Sequence, residues 1–291
     1  MTAEILVAGA LHWDTIVRAP RLPARDETLA GQDVAYAFGG KGGNQALAAA
    51  RHGARVAMAG CVGTDPAGAN MLAALDAAGV DRSRVAEVPG PSGMSVAILD
   101  PDGGYGAVIV SAANLAFDPA RIALPPDGAF LLLQNETAEA HNLTLARKAR
   151  AAGMRVVLNA APARPFATAL RANVDLVVVN RLEAEMLSGR RDPDAALADL
   201  SAKGAAIVTL GADGLIWQDG AAQGRLPARK LAPNSTHGAG DAFLGALAAR
   251  LSLGAALQEG CAYANVAAGL HVATPPEARG SITAATVLAH L

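Results

Sequence analysis

Short, unbroken apolar runs alternate with stretches of helical periodicity along most of the chain. Runs at Ile5–Gly9, Val56–Gly60, Phe130–Gln134, Arg155–Asn159, Leu176–Asn180 and Ala206–Thr209 predict strands. Apolar residues at three- and four-residue spacing predict helices over Asn44–His52, Ala67–Ala78, Ala138–Ala151, Arg181–Ser188, Asp194–Lys203, Asp241–Leu251 and Ala255–His271. Strands that are apolar throughout are buried on both faces. The alternation therefore predicts an α/β fold, a doubly wound parallel sheet with helices on both sides. Ligands of such sheets bind beyond the carboxyl ends of the strands, which picks out Asn180 and Gly211 by position. Two segments break the rhythm. Thr28–Phe38 alternates at Val34, Tyr36 and Phe38. Ser95–Ser111 reads as a hairpin, Val96–Leu99 and Ala107–Val110 around Asp100-Pro101-Asp102-Gly103-Gly104. These segments predict a small antiparallel sheet outside the main one, whose apolar face covers a site, pairs with a second subunit, or both. The chain reads as one unit, 1–291, with a lid formed by about 12–38 and 93–113.

Composition narrows the function. The 291 residues are 52% hydrophobic, enough for a large core, and the net charge is −2 with 17% charged residues. No basic stripe is present, which argues against nucleic acid as a partner. Cys61 and Cys261 sit in apolar surroundings and predict buried thiols rather than a disulfide or metal pair. No basic leader precedes Ile5, and no apolar run reaches membrane-spanning length. A cytoplasmic protein with no membrane partner is expected.

Two motifs carry candidate chemistry. Asn234-Ser235-Thr236-His237-Gly238-Ala239-Gly240-Asp241 runs straight into the helix pattern Ala242–Leu251. Small residues before a helix can aim backbone N–H groups at one anion. Asp241 would be repelled by a bound phosphate unless it had its own task, such as taking a proton from an attacking alcohol. The alternative is structural: Asp241 as an ordinary N-cap behind a tight loop. The second motif is Phe38-Gly39-Gly40-Lys41-Gly42-Gly43-Asn44-Gln45-Ala46. It is not a Walker loop, because Gly42 and not Ser or Thr follows Lys41. Its glycines permit close backbone approach to a ligand, and Asn44 offers both a donor and an acceptor to hydroxyls.

With Gly63-Thr64-Asp65, Asn159–Ala163, Asn180-Arg181-Leu182-Glu183 and Thr209–Gly214 falling between and beside them, these motifs resemble the signatures of the ribokinase-like (PfkB) carbohydrate kinases, and ribokinases most closely in pattern. The resemblance implies a doubly wound core with a small β-sheet lid. It implies ATP- and Mg²⁺-dependent phosphorylation of a sugar hydroxyl, and a homodimer through the lid. It makes Asp241 the catalytic base, with Gly238, Ala239 and Gly240 as the anion hole. It puts His12, Asp14, Gly40, Lys41, Asn44 and Glu136 at the sugar. It puts Asn180, Thr209, Gly211, Gly214 and Asn265 at the nucleotide, and Glu183 near Mg²⁺ through water. Asn180 and Glu183 also fit a plain helix capping box.

Two positions depart from the ribokinase pattern. His12 replaces the usual Asn, which leaves a nucleoside, including pseudouridine, as an alternative acceptor. Ser235 replaces an Asp that helps bind a monovalent cation, which argues against a potassium requirement. The leading expectation is a sugar kinase acting on ribose or a related pentose. The reading from another class is a silent sugar- or nucleotide-binding sensor.

Overall fold

A computed structural model describes residues 4–101 and 105–291. The turn at Asp102-Gly103-Gly104 lies outside the described residues. In chain order the elements are β1 (Glu4–Ala8), β2 (His12–Arg18), β3 (Asp33–Gly39), α1 (Lys41–Arg51), β4 (Arg55–Gly63), α2 (Pro66–Ala77) and β5 (Asp81–Val88). There follow β6 (Met94–Leu99), β7 (Tyr105–Val110), β8 (Gly128–Gln134), α3 (Glu139–Ala151), β9 (Arg155–Asn159), α4 (Thr168–Arg171) and β10 (Leu176–Asn180). The rest are α5 (Arg181–Ser188), α6 (Pro193–Ser201), β11 (Ala205–Thr209), β12 (Leu215–Asp219), β13 (Ala222–Leu226), α7 (Ala239–Ser252), α8 (Leu257–Ala273) and α9 (Ala284–Leu288).

The main sheet has the order β13-β12-β11-β10-β9-β8-β1-β4-β5. From β5 to β11 every pairing is parallel. Each inner strand divides its side chains between two cores. Ile5 and Val7, Phe130 and Leu132, and Leu176 and Val178 face a core closed by α1, α2, α7 and α8. Leu6 and Ala8, Leu131 and Leu133, and Val177 and Val179 face a second core with Leu145 of α3 and Leu197 of α6. This division is the physical content of the continuous apolar runs. Cys61 and Cys261 are free, buried and in opposite cores, and burial pushes their thiols up to about 11 and about 12.

The six strands read from the sequence pair in parallel as expected, and an antiparallel hairpin that the sequence pattern does not predict extends the sheet at one edge. β12 pairs antiparallel with β11, and β13 with β12. The hairpin passes unpredicted because β13, Ala-Gln-Gly-Arg-Leu, has almost no apolar pattern. The edge strand β5, Asp-Arg-Ser-Arg-Val-Ala-Glu-Val, is likewise too polar to read as buried.

The smaller sheet has the order β3-β2-β6-β7. β2–β3 and β6–β7 are antiparallel, but the central β2–β6 pair is parallel. The two hairpins leave the core separately and lie side by side in the same direction, so the sheet is mixed rather than purely antiparallel.

Candidate active site

The helix carrying Asp241 begins at Ala239, with Gly238 in the left-handed region as its N-cap and no side chain capping it. Asp241 therefore lies inside the first turn. Its carboxylate leaves its own helix: Oδ1 accepts from Gln45 Nε2 at 2.9 Å and Oδ2 from Asn44 Nδ2 at 3.4 Å. The N-cap alternative fails on this geometry. Gly245, four residues on and on the same face, explains how α1 comes so close. A Cβ there would lie 2.4 Å from Ala48 Cβ and 2.6 Å from Ala49 N. Only a hydrogen lets α7 close on α1 and put Asp241 against Asn44 and Gln45.

Gln45 is fully buried and links the acid to the main sheet. Its Nε2 also donates to Asn159 Oδ1 at 3.1 Å, and its Oε1 accepts from Gln134 Nε2 at 2.8 Å. Gln134 and Asn159 are register partners at the carboxyl ends of β8 and β9. Burial raises the pKa of Asp241, while the Lys41 charge and the bonds from Gln45 and Asn44 oppose the rise. The N-terminus of α7 also favours the anion.

On the small-sheet side, Gly40 caps α1 and the next N–H, of Lys41, donates to Glu136 Oε2 at 2.7 Å. Burial pushes Glu136 up to about 7; the charges of Asp241 and Asp14 add to this, and Lys41 opposes it. Asp14, buried on β2, accepts from Ser95 N at 3.1 Å. Gly39 makes that possible, since a Cβ on it would stand 1.9 Å from Asp14 Oδ2. His12 is buried beside Gly93, and its neighbour Leu11 is clamped through both backbone groups by Asn114 at 2.9 Å. Burial holds His12 below its usual pKa, with Asp14 opposing and the Lys41 charge adding.

Asn180 and Thr209 are register partners at the ends of β10 and β11. Asn180 Oδ1 accepts from Glu183 N, and Glu183 Oε2 from Asn180 N, both at 2.8 Å, so the capping box is formed. Burial raises Glu183, the bond from Asn180 N and the Lys41 charge oppose, and the Asp241 charge adds. Gly211 opens a short turn that Gly214 closes, with Leu210 N donating to Gly214 O at 2.7 Å. The Lys41 charge thus acts on His12, Glu136, Glu183 and Asp241 alike. Asn265 stands apart from this set: its amide donates to Pro227 O at 2.7 Å and anchors the segment after β13.

A family model described as pfkB family carbohydrate kinase matches residues 2–282. The chain belongs to the pfkB family of carbohydrate kinases. It is 32% identical over 277 residues to the ribokinase of Lactococcus lactis, covering 92% of this chain and 90% of the relative. It is 30% identical over 261 residues to the deoxyribokinase of Salmonella typhi, covering 84% of each. A solved structure of Arabidopsis thaliana ribokinase complexed with ribose and ATP matches with a TM-score of 0.90 and 26% identity, over 99% of this chain and 98% of that one. This pfkB chain is an ATP-dependent carbohydrate kinase.

Sequence reasoning missed Gln45, Gln134 and Asn159, which connect the kinase's acid to its sheet. Gln45 carried a signal: it is the polar residue on the apolar side of its helix, one turn before Ala48 and Ala49. Gln134 and Asn159 each end an apolar strand, where ligands of such sheets collect.

Proposed function

We propose that this kinase transfers the γ-phosphoryl group of ATP to a hydroxyl of ribose or a closely related pentose, with Asp241 as general base. The observation that carries the proposal is the setting of Asp241. It is buried, held by two amide side chains, and lies in the first turn of a helix whose N-cap has no side-chain partner. Its raised proton affinity suits it to accept a proton as the alcohol attacks. Gly240 is exposed, and a Cβ built on it would meet no atom within 4 Å, so the first turn is open to solvent on that side. The Gly238-Ala239-Gly240 anion hole then stabilises the charge that develops on the phosphoryl group through the N–H groups at the start of this helix other than that of Ala239, which donates to Thr236 O at 3.2 Å.

The acceptor is held by Asp14, Asn44, Glu136, Lys41 and the backbone at Gly40, with His12 as a fixed wall. Carboxylates and a carboxamide suit vicinal hydroxyls, each of which donates one hydrogen bond and accepts others. Asn180, Thr209, Gly211 and Gly214 serve the nucleotide, with Asn265 shaping its edge through the segment it anchors. Among the described residues, no three His, Cys, Asp or Glu side chains are grouped as a metal cage. The donor set therefore fits Mg²⁺ as a hydrated ion carried on ATP, with Glu183 holding its water shell. Bound there, Mg²⁺ neutralises phosphate charge.

The small sheet acts as a lid over the acceptor, since His12 and Asp14 lie on β2 and Ser95 on β6. Its exposed Val34, Tyr36, Val108 and Val110 support pairing with a second copy. A cytoplasmic setting, where ATP is supplied, belongs to the same proposal.

The test is ADP release with Mg-ATP against ribose, deoxyribose, other pentoses, hexoses, adenosine, uridine and pseudouridine. The highest kcat/KM is expected with ribose or a related pentose. Turnover confined to nucleosides would move the acceptor to that class and make His12 the first residue to replace.

A further inference from the structure

The loop that leads into the anion hole is held from behind by a single cation belonging to the chain. Arg279 lies in the turn Pro276–Ser281, 38 residues beyond Asp241, and is 9% exposed. Among the described residues, its guanidinium donates to backbone carbonyls only. Nη2 donates to Ser235 O at 2.8 Å, Nη1 to His237 O at 3.0 Å, and Nε to His271 O at 3.1 Å and Thr274 O at 3.2 Å. His237 O takes a second bond from His271 Nε2 at 2.9 Å. Asn234 N and Ser235 N both donate to Val272 O, at 2.9 and 3.1 Å. Among the described residues, no carboxylate is ion-paired with Arg279.

Two of the four carbonyls, His271 and Thr274, end α8, so part of the arrangement is a C-cap. The other two belong to the loop whose next residue, Gly238, starts the helix of Asp241. Backbone carbonyls converging on one positive charge form the kind of site that a weakly hydrated monovalent cation asks for. Here a planar, permanently charged fork fills it.

We propose that Arg279 is a positioning residue that substitutes for a monovalent cation: its guanidinium fixes the Ser235 and His237 carbonyls, presets the backbone of the Gly238–Asp241 segment, and makes catalysis independent of potassium. The inference rests on the anion-hole reading given under Proposed function. With its N–H groups given to these carbonyls, Arg279 acts through the loop and not on the reacting atoms.

The test compares the whole enzyme, Arg279→Ala and Arg279→Lys in tetramethylammonium chloride, potassium chloride and millimolar guanidinium chloride, recording kcat and KM with the best acceptor. The wild type should turn over equally in potassium and tetramethylammonium. Arg279→Ala should lose kcat by about 100-fold in tetramethylammonium, as expected for a displaced catalytic loop, with a smaller change in the sugar KM. Potassium or guanidinium should restore at least a tenth of the lost rate, roughly tenfold. Arg279→Lys should fall between and respond less to added cation. A plain C-cap role would lower the melting temperature without creating any cation response, and that result would overturn the proposal. Potassium stimulation of the wild type would overturn it too, and this arm stands even if Arg279→Ala does not fold. Should no acceptor on the panel turn over, that failure belongs to the substrate reading. Calorimetric binding of a non-hydrolysable ATP analogue then decides the cation question: it should be insensitive to potassium in the wild type and strengthened by it in Arg279→Ala, and no difference between the two would contradict the role.

Discussion

Gln45 gives the clearest residue-scale test of how the acid is held. Its amide serves Asp241, Asn159 and Gln134 at once. Gln45→Leu removes all three partners from a fully buried site, and an unsatisfied buried polar group costs about 1–3 kcal/mol. Denaturant unfolding should show a loss of that order, with kcat falling more than the sugar KM rises because Asp241 loses its orientation. Glu136 gives a pH test. An unfolded glutamate titrates near its ordinary 4.5, and in the fold it is pushed up to about 7. Between these values the folded protein binds the extra proton, so the penalty for ionising Glu136 is absent below about 4.5 and complete above about 7. Stability should fall through that window by up to about 3 kcal/mol from this group. Glu136→Gln should flatten that part of the pH–stability curve measured by urea titration. A wild-type curve parallel to the variant's would count against the perturbed carboxyl. Of the residues themselves, Asp241, Asn44, Lys41, Glu136 and Asp14 were legible because they sit in dense motifs or match family positions. Arg279 was not, because a lone Arg in a Pro-rich turn looks like any surface cation until the fold folds it under the loop.

At the scale of elements, the contact between α1 and α7 decides the site. Gly245→Val would force a branched side chain into the 2.4 Å gap to Ala48. Overpacking of that kind typically costs about 1–3 kcal/mol. It should also lower kcat, because separating the helices pulls Asp241 from Gln45; an active enzyme with wild-type kcat would show that the close contact is not what sets the base. The helices and inner strands were readable within a few residues because burial on both faces leaves unbroken apolar runs. Arg155–Asn159, Leu176–Asn180 and Arg181–Ser188 come out with the bounds read from sequence. The edge elements were not readable. β5 and β13 face water for much of their length, and their pairing is fixed by neighbours rather than by their own pattern. The start of α7 was placed two residues late because Gly238 and Gly240 look like loop, although the left-handed Gly238 is what begins the helix.

For the whole molecule, the mixed small sheet presents Tyr36 at 63% and Val108 at 66% exposure. Through Thr15 and Val96 these two residues lie in one cross-strand row. If this face joins two copies, light scattering at micromolar concentration should give a dimer, and Tyr36→Glu with Val108→Glu a monomer that still folds. A monomeric wild type would remove the lid-to-lid arrangement and leave the lid as a cover for one site. The large-scale plan was legible because the two segments that break the α/β rhythm are the ones that leave the main sheet. Their parallel junction, β2 beside β6, was not, since pairing direction between distant segments leaves no local trace.

The central claim is that Asp241 takes the proton of the attacking hydroxyl. Its most direct test is steady-state ADP release by the wild type and Asp241→Asn on the best acceptor of the panel. The carboxamide keeps the shape and can keep a contact to Gln45, but it cannot accept the proton. A fall in kcat of about 10²–10⁴, with both KM values within a few-fold of wild type, is the predicted result. A variant that retains kcat within a few-fold would contradict it and leave the base to be sought among the neighbouring carboxylates, half-buried Glu136 first.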